Sequence, residues 1–400
     1  MKLDPVVALE IGTRKVRVLI GEEGEGGDLI VTGVGECDSR GIRKGEVVHH
    51  ENALACVRHA IQLAEDQAGV IINQAYLLFS SGNVQCLVNR GTIPVMNGNG
   101  EIGREETEDV MNNARAVSLP ADREVVHSIP QHFYVDDQPG VIDPKGMDGA
   151  KLSLDMLVVH GVRNRIRNTL KVAVKAGLDV PEPAFAGLCA GLAVLTPQQK
   201  ERGVLVVDLG GGTTDFTIYA GKTIAHVGSL AVGGDHVTND IAAGLKLSNA
   251  QAEKLKVESG SAMIDLSKRH QTLALAADGG FQGGVVKVVD LHTIMHARME
   301  ETLKLVLSQL ESHDLIRHVG AGVVFCGGGA HMSGITRLGE QVFKLPCYIG
   351  MPQGVSGLVE TARVPEHAAV VGLLRYGLRA QKKRGSSKAI GNLLKNLFRK

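Results

Sequence analysis

Two carboxylates in this 400-residue chain stand in the same local setting 198 positions apart. Glu10 ends the apolar string VVALE and is followed by Ile11, Gly12 and Thr13. Asp208 ends GVLVVD and is followed by Leu209, then Gly210, Gly211, Gly212, Thr213 and Thr214. The chemistry that suits this plan is phosphate binding. A glycine turn lets backbone N–H groups approach phosphate oxygens with no Cβ in the way, and a threonine hydroxyl adds a donor. A carboxylate cannot touch phosphate without repulsion. Its work there is to hold Mg2+ through water or to orient a water. Gly12 alone is weak evidence, because any tight hairpin accepts a glycine. Three glycines between two β-branched strings are stronger, since they weaken a sheet for no structural gain. No GxxxxGK[ST] occurs, which excludes a P-loop.

Two further glycine clusters extend the pattern. Gly233 and Gly234 precede the amphipathic run Val237 to Leu245, a turn at a helix N-terminus and so a second anion site. Gly327, Gly328 and Gly329, in GVVFCGGGAHMSGITRL, fall between a buried strand and a helix, where a flat purine can lie against backbone.

The elements that must position these residues follow from the repeat. Each carboxylate closes one strand, a second strand leaves the turn, and a third follows at Leu29 to Glu36 or Thr223 to Val232. The length allows more than one domain, and the repeat predicts two related α/β domains in tandem that clamp a nucleotide between them.

Composition narrows the function classes. Aromatics are 3% of residues with no Trp, so base-stacking surfaces for nucleic acid are not expected. Net charge is zero, yet nine Lys/Arg and no Asp/Glu follow Glu366, so the preceding body is acidic and the tail has an anionic target of its own. The six cysteines form no CxxC pair and read as reduced, buried thiols. Glu10 and Arg14 come too early for a signal peptide, and the apolar run Pro183 to Leu195 is too short to span a bilayer.

The tail reads AIGNLLKNLFRK. On a helix, Ile390, Leu393, Leu394, Leu397 and Phe398 make one apolar stripe, with Lys395, Arg399 and Lys400 off it. Such a segment either docks on its own domain or lies on a membrane surface.

These residues resemble the actin superfamily: ALEIGT as a first phosphate loop, VVDLGGGTTD as a second, VVFCGGGAHMSG as an adenosine loop, with helical connectors at FAGLCAGLAVL and HAAVVGLLRYGL. Within it the chain resembles the FtsA family of bacterial cell-division proteins, through Glu10, SRGIRKGEVV, VVHSIPQHFYVDD and DPKGMDGAKL. The resemblance covers essentially the whole chain. It implies an α/β, actin-like two-domain fold of duplicated ribonuclease-H-like domains, with an inserted subdomain 1C and a C-terminal amphipathic helix. The expected boundaries are subdomain 1A over 1–80, 162–202 and 365–378, 1C over 81–161, 2A over 203–236 and 301–364, and 2B over 237–300. A linker at 379–388 and a membrane-targeting helix at 389–400 complete the division.

The resemblance also implies ATP and Mg2+ as cofactors, with Glu10 and Asp208 holding the metal through water. Gly12, Thr13, Lys15, Gly210 to Thr214, Gly233, Gly234 and Gly327 to Gly329 would contact the nucleotide, and Glu253 and Lys256 its ribose and adenine edge. Glu182 lies where actins place the residue that positions the attacking water; a surface role between Pro181 and Pro183 is the other reading. Implied partners are the C-terminal peptide of the tubulin-like FtsZ through Arg298, further copies of the chain in a filament, anionic inner-membrane lipid, and downstream division proteins through 1C. The implied location is the cytoplasmic face of the inner membrane at the division site. ATP turnover would be slow or absent, and Asp208→Ala should abolish ATP-dependent polymers. The stretch His296-Ala297 departs from the family pattern of Glu-Pro. His292 and His296 stand at the i, i+4 spacing of a zinc pair, but with no third ligand placed by sequence they read as a solvated helix face. Competing readings are a sugar-kinase-like or chaperone-type ATPase, which would need a sugar pocket or a substrate domain that nothing marks. A pilus-assembly adaptor of the PilM type would not need the tail.

Overall fold

The computed structural model describes residues 5–96, 98–221, 223–278, 283–358 and 362–397, with side chains described through Lys382. Two sheets carry the chain. The first has strand order 183–185, 76–79, 6–11, 15–23, 29–38, 355–357, and the second 223–230, 214–220, 204–209, 323–326, 347–349. In both, the carboxylate-bearing strand pairs antiparallel with the strand after its glycine turn and parallel with a later one. The repeat seen in the sequence is therefore a repeat of topology. Both central strands are almost wholly buried, as continuous apolar strings covered on both faces should be.

The two halves share a hub. The helix Ala186–Val194 crosses the terminal helix Ala368–Leu397 so closely that a Cβ on Gly372 would lie 1.7 Å from the Cys189 carbonyl oxygen. Cys189, Ala190 and Ala193 pack there with Val370, Val371 and Leu374, between Val6 and Ala8 of one sheet and Val206 of the other. Small side chains make the crossing possible, and the two glycine turns lie at the edge of this hub, beside Ala186 and Ala369.

The insert is a four-stranded antiparallel sheet in the order 85–94, 151–162, 123–135, 138–141, with the helix Arg104–Arg115 against it and a core of its own around Ile102, Val110, Leu152, Leu154 and Met156. It is pinned to the hub by His127. That imidazole accepts from the Phe185 N–H at 2.9 Å through Nε2 and packs edge-on against Tyr376 of the terminal helix. Burial pushes its pKa down to about 4. A base held neutral in the fold contributes stability above its unfolded pKa, and this is lost as pH falls from about 6.5 towards 4. Thermal melts should show that loss, on the order of 3 kcal/mol for this group, and His127→Gln should make the acid limb shallower.

In the region expected as 2B, the helices Gly234–Leu245, Asn249–Ser259 and Val288–Ser312 pack with the hairpin 272–275/284–287. The structure corrects the solvated-face reading of His292. It is buried, and its Nε2 meets the Ser259 carbonyl at 3.1 Å. His296 Nδ1 meets the Ala262 carbonyl at 2.8 Å. Both imidazoles tie the helix to the 259–262 turn. Arg298 is held within the chain, with its guanidinium forked onto Asp240 at 2.5 and 3.1 Å and bonded to Glu301.

The terminal helix takes in residues 379–388, the expected linker, without a break. Lys382 reaches Glu23 at 2.6 Å. The side chains of Ile390, Leu393, Leu394, Lys395 and Leu397, and residues Phe398, Arg399 and Lys400, lie outside those described. Among the described residues no helix is long and apolar enough to cross a membrane.

Candidate functional site

The ends of the two central strands meet across a cleft of about 560 Å³ walled by both halves. Gly12 N–H donates to the Lys15 carbonyl at 3.0 Å and Gly210 N–H to the Thr213 carbonyl at 2.9 Å, which closes each turn. Both turns line the cleft, as do Gly234, Glu253, Lys256 and Gly327 to Gly329. The turns also touch. A Cβ on Gly212 would lie 2.4 Å from Thr13 Oγ1, so the third glycine is there for the meeting of the two halves.

Register decides the electrostatics. Glu10 stands opposite Arg17 in the first hairpin, and Asp208 stands opposite Asp215 in the second. Arg17, largely buried, donates to Glu10 at 3.1 Å and to Glu36 at 2.7 Å. His367, with Arg17 and Lys15, then holds the Glu36 carboxyl well below the usual carboxylate range. The second hairpin has no cation at the matching place. Asp208 is held well above the ordinary carboxylate range by burial first, then by Asp215 and Glu10. Burial raises Asp215 to about 6, while Ser229, Ser80 and Thr213 pull the other way. Ser80, from the first half, donates to Asp215 at 2.5 Å.

Asp208 is buried, yet no hydrogen bond or ion pair reaches its carboxylate among the described residues. A buried carboxylate without a partner, beside a second one, is costly unless a proton or a cation neutralises it. These two residues fit a divalent ion. No group of three His, Cys, Asp or Glu among the described residues is spaced for direct coordination, so water would fill the shell. Of the expected pair, Glu10 accepts from Arg17, while Asp208 faces Asp215, whose two oxygens accept from Ser80 and Ser229.

Other expected site residues fall differently. Thr214 is fully buried, and its hydroxyl donates to the Val232 carbonyl at 2.8 Å, so it faces its own sheet. Lys15 lines the cleft but pairs with Glu36 at 3.0 Å and Asp38 at 3.2 Å. Gly233 backs the second turn, where a Cβ would sit 2.6 Å from the Gly210 carbonyl. Glu253 and Lys256 meet at 2.8 Å inside the cleft. Glu182 is a correction. It precedes the strand Pro183–Phe185, which runs parallel to 76–79 with Phe185 beside Phe79. Strand polarity thus leaves Glu182 at the far end, against Tyr376, and the wall of the cleft there is Ala186.

Several residues went unread. Arg14 crosses the cleft to Asp235 and to Glu253, the latter at 2.7 Å. His331 pairs with Glu366 at 2.5 Å beside Gly327 to Gly329. Asp215 had a signal: it lies seven residues after Asp208, as Arg17 lies seven after Glu10.

Comparison with known proteins agrees with this fold. The family described as "Cell division protein FtsA" matches residues 205–372, and the "SHS2 domain inserted in FTSA" matches 81–160. The cell division protein FtsA of Pseudomonas aeruginosa is 34% identical over 94% of this chain and 90% of its own length. That of Escherichia coli K12 is 33% identical over 93% and 90%. Among solved structures, a PilM–PilN type IV pilus biogenesis complex aligns with TM-score 0.64 at 16% identity, covering 94% of this chain and 99% of that one. MreB5 of Spiroplasma citri bound to AMPPNP aligns with TM-score 0.55 at 16% identity, covering 97% and 100%. The structural likenesses establish an actin-like fold, while the sequence relatives establish the lineage: this chain belongs to the FtsA family of cell-division proteins.

Proposed function

We propose that the chain is an ATP-binding, actin-like adaptor that polymerises and ties the FtsZ ring to the cytoplasmic face of the cell membrane, recruiting later division proteins through the insert. The observation that carries the nucleotide part is the pairing of two glycine turns across one cleft, with Asp208 and Asp215 poised at its floor. Asp208 and Asp215 would hold a hydrated Mg2+, which supplies charge neutralisation for the phosphates. The turns bind phosphate through backbone N–H groups, and Glu253 and Lys256 border the ribose. Gly327 to Gly329 give the base a flat seat. A structure of MreB5 with AMPPNP in the same fold supports a nucleotide in this cleft.

Turnover is slow or absent in this reading. Glu182 is remote, and of the other cleft carboxylates Glu10, Asp235, Glu253 and Glu366 are engaged by Arg or His, while Glu258 lines the cleft beside them. ATP then serves mainly as a structural ligand that sets the domain angle.

The membrane part rests on the tail. A twelve-residue helix is marginal in water and gains its order at the bilayer surface. Polymerisation multiplies many weak anchors into firm attachment. The test is co-sedimentation of the full chain, and of one ending at Ser387, with anionic liposomes and Mg-ATP. The full chain should pellet with lipid and the shortened one should stay in solution. Equal behaviour of the two would make the tail a protein-docking helix instead.

A further inference from the structure

A short hairpin, Ile42–Arg43 paired with Glu46–Val47, reaches the cleft from the first half. Its tip is Lys44 and Gly45, both left-handed, with φ of 53° and 73°. Glycine takes that conformation freely. For Lys44 it is strained, and such positions persist where the surroundings dictate them.

The surroundings here are both phosphate turns. Gly45 N–H donates to Thr13 Oγ1 at 3.0 Å. A Cβ on Gly45 would lie 2.7 Å from the Ser80 carbonyl and 3.2 Å from Thr213 Cγ2. A Cβ on Gly212 would strike the Lys44 Cα at 2.8 Å. The tip is therefore wedged where the first turn, the second turn and Ser80 converge.

Beyond it a polar cavity of about 690 Å³ opens at the mouth of the cleft, with Arg43 and Lys44 on one wall and His236 and Asn239 on the other. It adjoins the nucleotide cleft along Arg14, Asp235 and Glu253, which line both. Arg14 is fully engaged by those two carboxylates. Arg43 and Lys44 have no ion-pair partner among the described residues. The uncommitted positive charge at this junction is thus theirs, and it sits just past the turn that binds phosphate. A compact ammonium on a flexible stem suits a phosphate as a point charge.

We propose that Lys44 is a ligand for the terminal phosphate of the bound nucleotide and sets its preference for the triphosphate over the diphosphate. The inference rests on the reading of the cleft as a nucleotide site. Calorimetric titration of the full chain with ATP and with ADP, both in Mg2+, tests it against Lys44→Asn and Lys44→Arg. Asparagine tolerates the left-handed backbone and removes the charge; arginine keeps the charge.

The parent should prefer ATP. Lys44→Asn should lower ATP affinity about tenfold or more, while ADP affinity stays within about twofold, and Lys44→Arg should recover most of the loss. Equal weakening of both nucleotides, or of neither, would overturn the assignment, as would a parent that binds the two alike. A parent that binds no nucleotide would instead bring down the reading of the cleft.

Discussion

Gly327→Ala should destabilise the chain by about 3 kcal/mol and abolish nucleotide binding. The residue has φ of 79°, where any side chain is strained, at a cost of roughly 1–2 kcal/mol. Its Cβ would also lie 2.2 Å from Asp208 Oδ1 and 2.7 Å from the Leu209 carbonyl. Overlap with backbone cannot be relieved by a rotamer change, and overpacking of this kind adds about 1–3 kcal/mol. The strand 323–326 lies beside the Asp208 strand, so the disturbance falls on both the 327–329 turn and Asp208. Gly328→Ala is the control, since a Cβ there would meet nothing within 4 Å. Chemical denaturation of the two variants should separate them clearly. Equal stability would mean that the close contact between Gly327 and Asp208 is not a property of the folded chain.

Asp208→Asn should move stability and binding in opposite directions. The parent carboxylate is buried, unpartnered and beside Asp215. A neutral amide of the same shape removes the repulsion and the desolvation of an ion. The empty variant should therefore melt no lower than the parent, and higher if the parent carboxylate is ionised at neutral pH. Nucleotide binding should lose its dependence on Mg2+, because a single carboxylate at Asp215 holds a hydrated ion poorly. A variant that melts several degrees lower while keeping Mg-dependent binding would assign Asp208 a structural role.

The fold and the cleft were legible where spacing alone carries the information. The two strand-turn-strand units, the glycine clusters and the inserted segment are local patterns, and each folds as its own residues direct. What sequence did not yield depends on cross-strand register and strand polarity. Glu10 and Asp208 look equivalent along the chain, yet the residue seven positions later is Arg17 in one hairpin and Asp215 in the other. That difference puts a guanidinium beside Glu10 and a second carboxylate beside Asp208. Glu182 was misplaced because three residues of strand give no direct sign of which end faces the ligand. Thr214 belongs to the phosphate motif by position, but the alternation of a strand turns its hydroxyl inward to Val232. His292 reads as a solvated helix residue until the 259–262 turn is folded against it. Arg14 has no local signature at all, since its carboxylates lie more than 200 residues away.

The central claim is that the two glycine turns and the Asp208–Asp215 pair form one Mg-dependent nucleotide site. Equilibrium titration of the full chain with ATP, once in Mg2+ and once in excess chelator, tests it most directly. The account predicts saturable binding of one ATP per chain that weakens at least about tenfold without the metal. Absence of binding in Mg2+, or binding of equal strength in chelator, would contradict it.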